Sequence, residues 1–143
     1  MSTALAFGPT GTRRLGRSAV AIAAAVVANA GLSLATDQLF HVLGVYPAWG
    51  EPMHEPGLNA LALAYRIGYG VVAGVVVARL APREPMRHAA ILGVVGLVLA
   101  TLGAVVAMAQ YDLGPAWYPI ALAVVSFPTV WLGAAWHERR RRA

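Results

Sequence analysis

The chain predicts an all-α membrane protein, a four-transmembrane-helix bundle with N and C termini cytoplasmic. Three observations carry that expectation. Of 143 residues, 59% are hydrophobic and 12% charged, too little polar surface for a soluble domain of this size. The apolar residues gather into runs of about 20, the length that crosses a hydrocarbon core of roughly 30 Å. The basic residues are all arginine, and every one except Arg66 flanks an apolar run on the same side.

Residues 1–16 are small and polar, with Gly8, Pro9 and Gly11, and read as a disordered cytoplasmic tail containing Arg13 and Arg14. A single transmembrane domain is expected over 17–138, with spans at about 18–43, 58–80, 88–110 and 116–136, then a basic tail at 139–143. In the first span the apolar part gives way to Thr36, Asp37, Gln38 and His41 without losing the helical pattern. Arg13, Arg14 and the string Ala28-Asn29-Ala30 also resemble a signal peptide with its cleavage site. The apolar pattern runs past Ala30 with no polar break, so the segment is read as a span.

The connection at 44–57 contains Pro47, Pro52 and Pro56, with Tyr46 and Trp49 as interfacial anchors. A short turn at 81–87 leads into the third span, and a brief loop at 111–115 into the fourth. Pro128 removes a backbone donor and should bend the fourth span, with Ser126 or Thr129 bonding the carbonyl it frees. Trp117 and Tyr118 at one end, with Trp131 and Trp136 toward the other, read as aromatic belts.

Arginines set the orientation. Arg13, Arg14 and Arg17, then Arg79, Arg83 and Arg87, then Arg139 to Arg142 share one face, which is therefore cytoplasmic. The opposite face receives Asp37, Glu51, Glu55 and Asp112 and no arginine. The absence of lysine and the weight of Ala, Val, Gly and Arg point to a bacterial source, hence to the cytoplasmic (inner) membrane.

Composition also excludes. There is no cysteine, so disulfides, thiolate catalysis and thiolate metal sites are out. The net charge of +5 belongs to the orienting arginines, and no basic surface interleaved with aromatics suggests nucleic acid. Ser33 and Ser126 lack a base and orienter, no nucleophile-elbow or phosphate-loop motif occurs, and no cofactor is implied. The lipid bilayer is the one certain partner. Ala60, Ala64 and Gly68, and again Gly70, Gly74 and Ala78, recur every fourth residue. Small residues so spaced let helix backbones approach in lipid. Gly70 and Gly74 therefore make either a homodimer seam or a contact within one bundle, and a larger membrane complex is the third setting.

Arg66 is the charge that composition does not excuse. Well inside a spanning helix a charge costs about 2.5–3.5 kcal/mol on insertion scales, so it has a partner or a function. On the first helix Asn29, Ser33, Asp37 and His41 recur every fourth residue as a polar stripe expected to face the bundle interior. Counted from the outer ends of consecutive antiparallel spans, Asp37 and Arg66 both lie roughly 9–12 Å deep. An Asp37–Arg66 ion pair is thus expected, with Tyr65 and Tyr69 supplying hydroxyls and His41 one turn above as acceptor or proton shuttle. Glu51, His54 and Glu55 in the outer loop match no specific metal motif, yet supply N and O atoms of the kind a divalent cation takes.

The strings Leu39-Phe40-His41-Val42-Leu43-Gly44-Val45-Tyr46-Pro47 and Gly114-Pro115-Ala116-Trp117-Tyr118-Pro119 resemble ones in small, uncharacterised four-span bacterial membrane proteins. That resemblance implies the architecture and carries no activity. The acid at Asp37 lies near a span's end, unlike the central glutamate of small multidrug transporters, and thiol-dependent quinone reductases need cysteine pairs. Three functional classes follow. In order of support they are small-solute or ion binding or transport at the polar site, an accessory subunit of a larger membrane complex, and a membrane-embedded enzyme acting on a lipid or isoprenoid through Asp37 or His41.

Overall fold

Four long helices make up nearly all of the chain. The computed structural model describes residues 9–143, with side chains from residue 13 onward. The helices are α1 (Pro9–Val42), α2 (Pro56–Leu80), α3 (Pro85–Gln110) and α4 (Trp117–Arg142), with no strand among the described residues. All four are long and apolar enough to cross a membrane. Large side chains such as Val27, Leu34, Val94, Leu99, Val124 and Leu132 point outward. In water such a surface would be an aggregation hazard. It belongs to a multi-pass membrane protein.

Both ends of the chain are more helical than expected. The anticipated tail at 1–16 divides: residues 1–8 lie outside the described residues, and α1 already begins at Pro9. Extending an existing helix adds one hydrogen bond per residue ordered, which outweighs the weak helix preference of Gly11 and Gly16. At the other end α4 runs past Trp136 through Arg142. Arginine is a good helix former and complements the helix C-terminal dipole. Pro56 and Pro85 open α2 and α3 within the first turn, where the missing N–H breaks no helical bond.

In cross-section the helices run in the order α1, α2, α4, α3. α2 packs extensively on α4 and α1 and more lightly on α3, α3 packs on α4, and among the described residues α1 does not reach α4. Contact between α1 and α3 is sparse, so the fourth side of the ring is nearly open.

The arginine-rich end is dry and close-packed. Ala21 and Ala25 of α1, Ala73, Val77 and Ala78 of α2, Ala89 and Leu92 of α3, and Val130 and Ala134 of α4 form its core. Ser18 and His88 join the starts of α1 and α3 by a 2.8 Å hydrogen bond. Glycine makes the α2–α4 seam possible. A Cβ on Gly74 would overlap the Val130 carbonyl, and one on Gly133 the Val71 carbonyl. Gly70 meets Thr129 in the same way. Gly70 and Gly74 are buried inside one chain, so of the readings of that motif the structure has the internal one, and this face is not free for a second copy.

α4 continues through Pro128. Ser126 Oγ donates to the Ala123 carbonyl at 2.7 Å and Thr129 Oγ1 to that of Val125 at 2.9 Å. These carbonyls flank that of Val124, the one whose partner proline removes. The hydroxyls therefore add bonds beside the gap and do not fill it.

Candidate functional site

At the acidic end the helices part around a polar cluster. Asp37 is buried, and its Oδ2 receives Arg66 Nη2 at 2.5 Å. The Tyr65 hydroxyl donates to Oδ1 of the same carboxylate. Arg66 Nη1 in turn donates to the Tyr65 hydroxyl at 3.0 Å and reaches the Ala62 carbonyl at 3.5 Å. Tyr46 donates to Tyr65 at 3.3 Å. The guanidinium carbon also lies 5.1 Å from the ring centre of Tyr65 and 6.0 Å from that of Tyr118, distances at which an aromatic face attracts a cation. Every member of the pair is thus bonded more than once, the condition for a charge pair to persist away from water.

Two of these tyrosines were not part of the expected cluster. Tyr46 was read as an interfacial anchor, but it is buried, edge-on to Phe40 at 5.1 Å. Its amide and that of Val45 both donate to the Phe40 carbonyl, a tight helix end that turns the ring inward. Burial pushes its phenol above the ordinary value, which keeps the proton it donates to Tyr65. Tyr118 was assigned to an aromatic belt, yet its ring faces Arg66. A proline sits one residue beyond each of them or nearly so, at Pro47 and Pro119, but that pattern is too common to have singled them out.

Other expected members go elsewhere. The Tyr69 hydroxyl shares a 2.7 Å hydrogen bond with Thr36 and does not reach Asp37. Among the described residues, Asn29 and Ser33 make no side-chain hydrogen bond to the cluster and do not line the cavity beside it. At 100° per residue a four-residue step overshoots a full turn by about 40°, so Asn29 is rotated about 80° away from Asp37. His41 is in place above Asp37, but it is already engaged. Its Nδ1–H donates to the Pro47 carbonyl at 2.5 Å, and its ring lies 4.1 Å from that of Trp49. The Trp49 indole donates to Gln38, so the anchor residue clasps the last turns of α1.

Glu51, His54 and Glu55 are all exposed. Among the described residues no three His, Asp or Glu side chains come together as metal ligands. The stiff, proline-rich loop holds the three apart, and its backbone does the fastening instead. Met53 N donates to the Leu113 carbonyl at 2.8 Å, and the buried Asn59 amide donates to the carbonyls of Met53 and Glu55. Gly114, at φ 151°, permits this approach, since a Cβ there would lie 2.5 Å from the Met53 oxygen. Nothing in the sequence marked Asn59 except a polar side chain one turn inside an apolar helix.

Beneath this roof lies a cavity of about 940 Å³. Asp37, His41, Tyr46, Arg66 and Tyr118 line one side of it. The facing wall is α3, with Ala100, Gly103, Ala104 and Ala107 along its length and Met108 and Gln110 at its end, and Leu122 of α4 beside it. Glu51 and Asp112 stand at its mouth.

No family model, curated protein or solved structure matches this chain.

The site must be read from its own chemistry. Arg66 is the more accessible partner, its side chain 25% exposed against 11% for Asp37. The Tyr118 hydroxyl oxygen is a further hydrogen-bond partner of Arg66, and among the described residues its own O–H has no acceptor, so the chamber offers a hydrogen-bond donor beside an electrically neutral pair. The second hollow, between α2 and α4 at the arginine-rich end, is a groove of valines with Leu132, Trp136 and Arg139 and has no such cluster.

Proposed function

We propose that this chain is a multi-pass protein of the bacterial inner membrane, both termini cytoplasmic, that binds a small solute in its outward-facing chamber for transport. The observation that carries the reading is the cavity of about 940 Å³ with the Asp37–Arg66 pair on its wall. A pair needed only to fix helix register gains nothing from an adjoining void, because unfilled space forfeits packing. Small-molecule sites commonly combine apolar walls with a few convergent polar groups, and a volume of this order suits them. The close-packed arginine-rich half supplies the closed inner side that a one-sided chamber requires. The arginine bias supports the orientation.

Native mass spectrometry of protein released directly from membrane vesicles tests this. Wild type is expected to carry a small molecule, and Gly103→Leu, which fills the chamber, to emerge without it. Gly103 suits the purpose because a Cβ there meets no atom within 4 Å. An empty wild type whose unfolding midpoint is also unmoved by a panel of amino acids, sugars, organic acids and polyamines would sink the reading, since a ligand of the folded state must stabilise it. The chain's lack of cysteine makes its topology directly testable. An impermeant maleimide is expected to label His54→Cys from outside the cell and Arg83→Cys only after lysis.

A further inference from the structure

Resting on that reading, we infer that the ligand is an uncharged amphiphile that reaches the chamber sideways from the bilayer, between α1 and α3. The route follows from the packing. α1 and α3 touch sparsely, and the Ser18–His88 bond and the core that Ala21 and Ala25 share with Ala89 lie at the arginine-rich end. Toward the acidic end Asp37 and His41 on one side and Gly103 and Ala107 on the other border the same cavity. Gly103 is exposed, with open space where its side chain would be. An apolar chain between the two helices would pass from lipid into a wall of Ala and Gly with no water layer to cross.

The head group follows from charge. Arg66 at depth is hostile to a cation, and its own charge is already matched by Asp37. An anion would confront the Asp37 carboxylate beside the guanidinium in a cavity that Glu51 and Asp112 also line. What remains is donor capacity, the Tyr118 O–H held beside the Arg66 guanidinium, which has no acceptor among the described residues. A neutral oxygen acceptor such as an alcohol or ketone uses it without adding charge.

Palmityl alcohol, palmitic acid and palmitylamine carrying the same mid-chain diazirine separate the possibilities. Each is photolysed with the full chain in lipid nanodiscs, and labelled peptides are mapped by mass spectrometry. The alcohol is expected to label the cavity face of α3 and the end of α1, and the acid and amine about tenfold less, the ratio that one mismatched polar contact produces. Gly103→Leu, and independently Ala107→Leu, should each lower the alcohol's labelling by a similar factor while the unfolding midpoint stays near that of wild type. Equal labelling by the acid or the amine overturns the head-group assignment. Labelling indifferent to both α3 substitutions overturns the route. If no probe enters while a water-soluble solute still stabilises wild type but not Gly103→Leu, the amphiphile is wrong and the binding reading stands. If neither binds, both fall.

Discussion

The two ends of this bundle are built from opposite materials. At the arginine-rich end, alanine and glycine bring backbones together until a single added Cβ on Gly74 or Gly133 would overlap a carbonyl oxygen. At the acidic end tyrosine, asparagine and an ion pair make the contacts, and they border a cavity. In lipid no hydrophobic force separates core from surface, so close packing and internal hydrogen bonds are the means of association. Here close packing dominates one half and polar contacts the other. The contrast teaches that the cavity lies where polar side chains, not small residues, join the helices.

The largest effect expected is at the polar end. Asp37→Leu leaves Arg66 without its counter-charge and should cost about 4 kcal/mol, measured by unfolding in mixed detergent micelles. The double variant Asp37→Leu with Arg66→Leu should recover to within about 1 kcal/mol of wild type, because a buried pair can often be exchanged for apolar packing. If the single change costs as little as the double one, the ion pair is not what organises this end. Next comes the packed end. Gly133→Ala forces its methyl against the Val71 carbonyl and should cost about 3 kcal/mol, the upper range for overpacking, because backbone cannot swing aside. The same substitution at Gly103 should change stability by less than about 0.5 kcal/mol. Equal costs at the two glycines would erase the contrast between the halves.

Smaller effects sharpen the picture of the roof. Asn59→Ala removes two donors from the Met53 and Glu55 carbonyls and should cost about 1–2 kcal/mol. It should also speed amide exchange at Met53, whose N–H bonds to Leu113. Tyr69→Phe breaks only the hydroxyl bond to Thr36 and should cost about 1 kcal/mol or less, with no change in cavity labelling.

Much of this architecture was legible in the sequence because membrane spanning is written in composition and run length. The Asp37–Arg66 pair was legible too, since depth below a common surface fixes which residues on adjacent antiparallel helices stand level. What escaped is what depth does not determine. Rotation about the helix axis sent Tyr69 to Thr36 and left Asn29 and Ser33 outside the site, although all matched on spacing. Tyr46 and Tyr118 lie at span ends, where aromatic residues usually meet head groups, and only the Phe40 carbonyl turn and the Arg66 contact show them facing inward. The seam of Gly70 and Gly74 had its spacing from the sequence and its partner, α4, only from the fold.

α1 is the least encumbered member of the ring. Among the described residues it shares one broad interface, with α2, touches α3 sparsely, and does not meet α4. Near its far end the side-chain bonds to α2 converge on Asp37, which takes both Arg66 and Tyr65, with Thr36–Tyr69 one residue away. The carboxylate therefore serves as a latch as well as a wall. A helix fastened along one flank and latched near its tip hangs, at that end, on one carboxylate and the hydroxyl bond beside it.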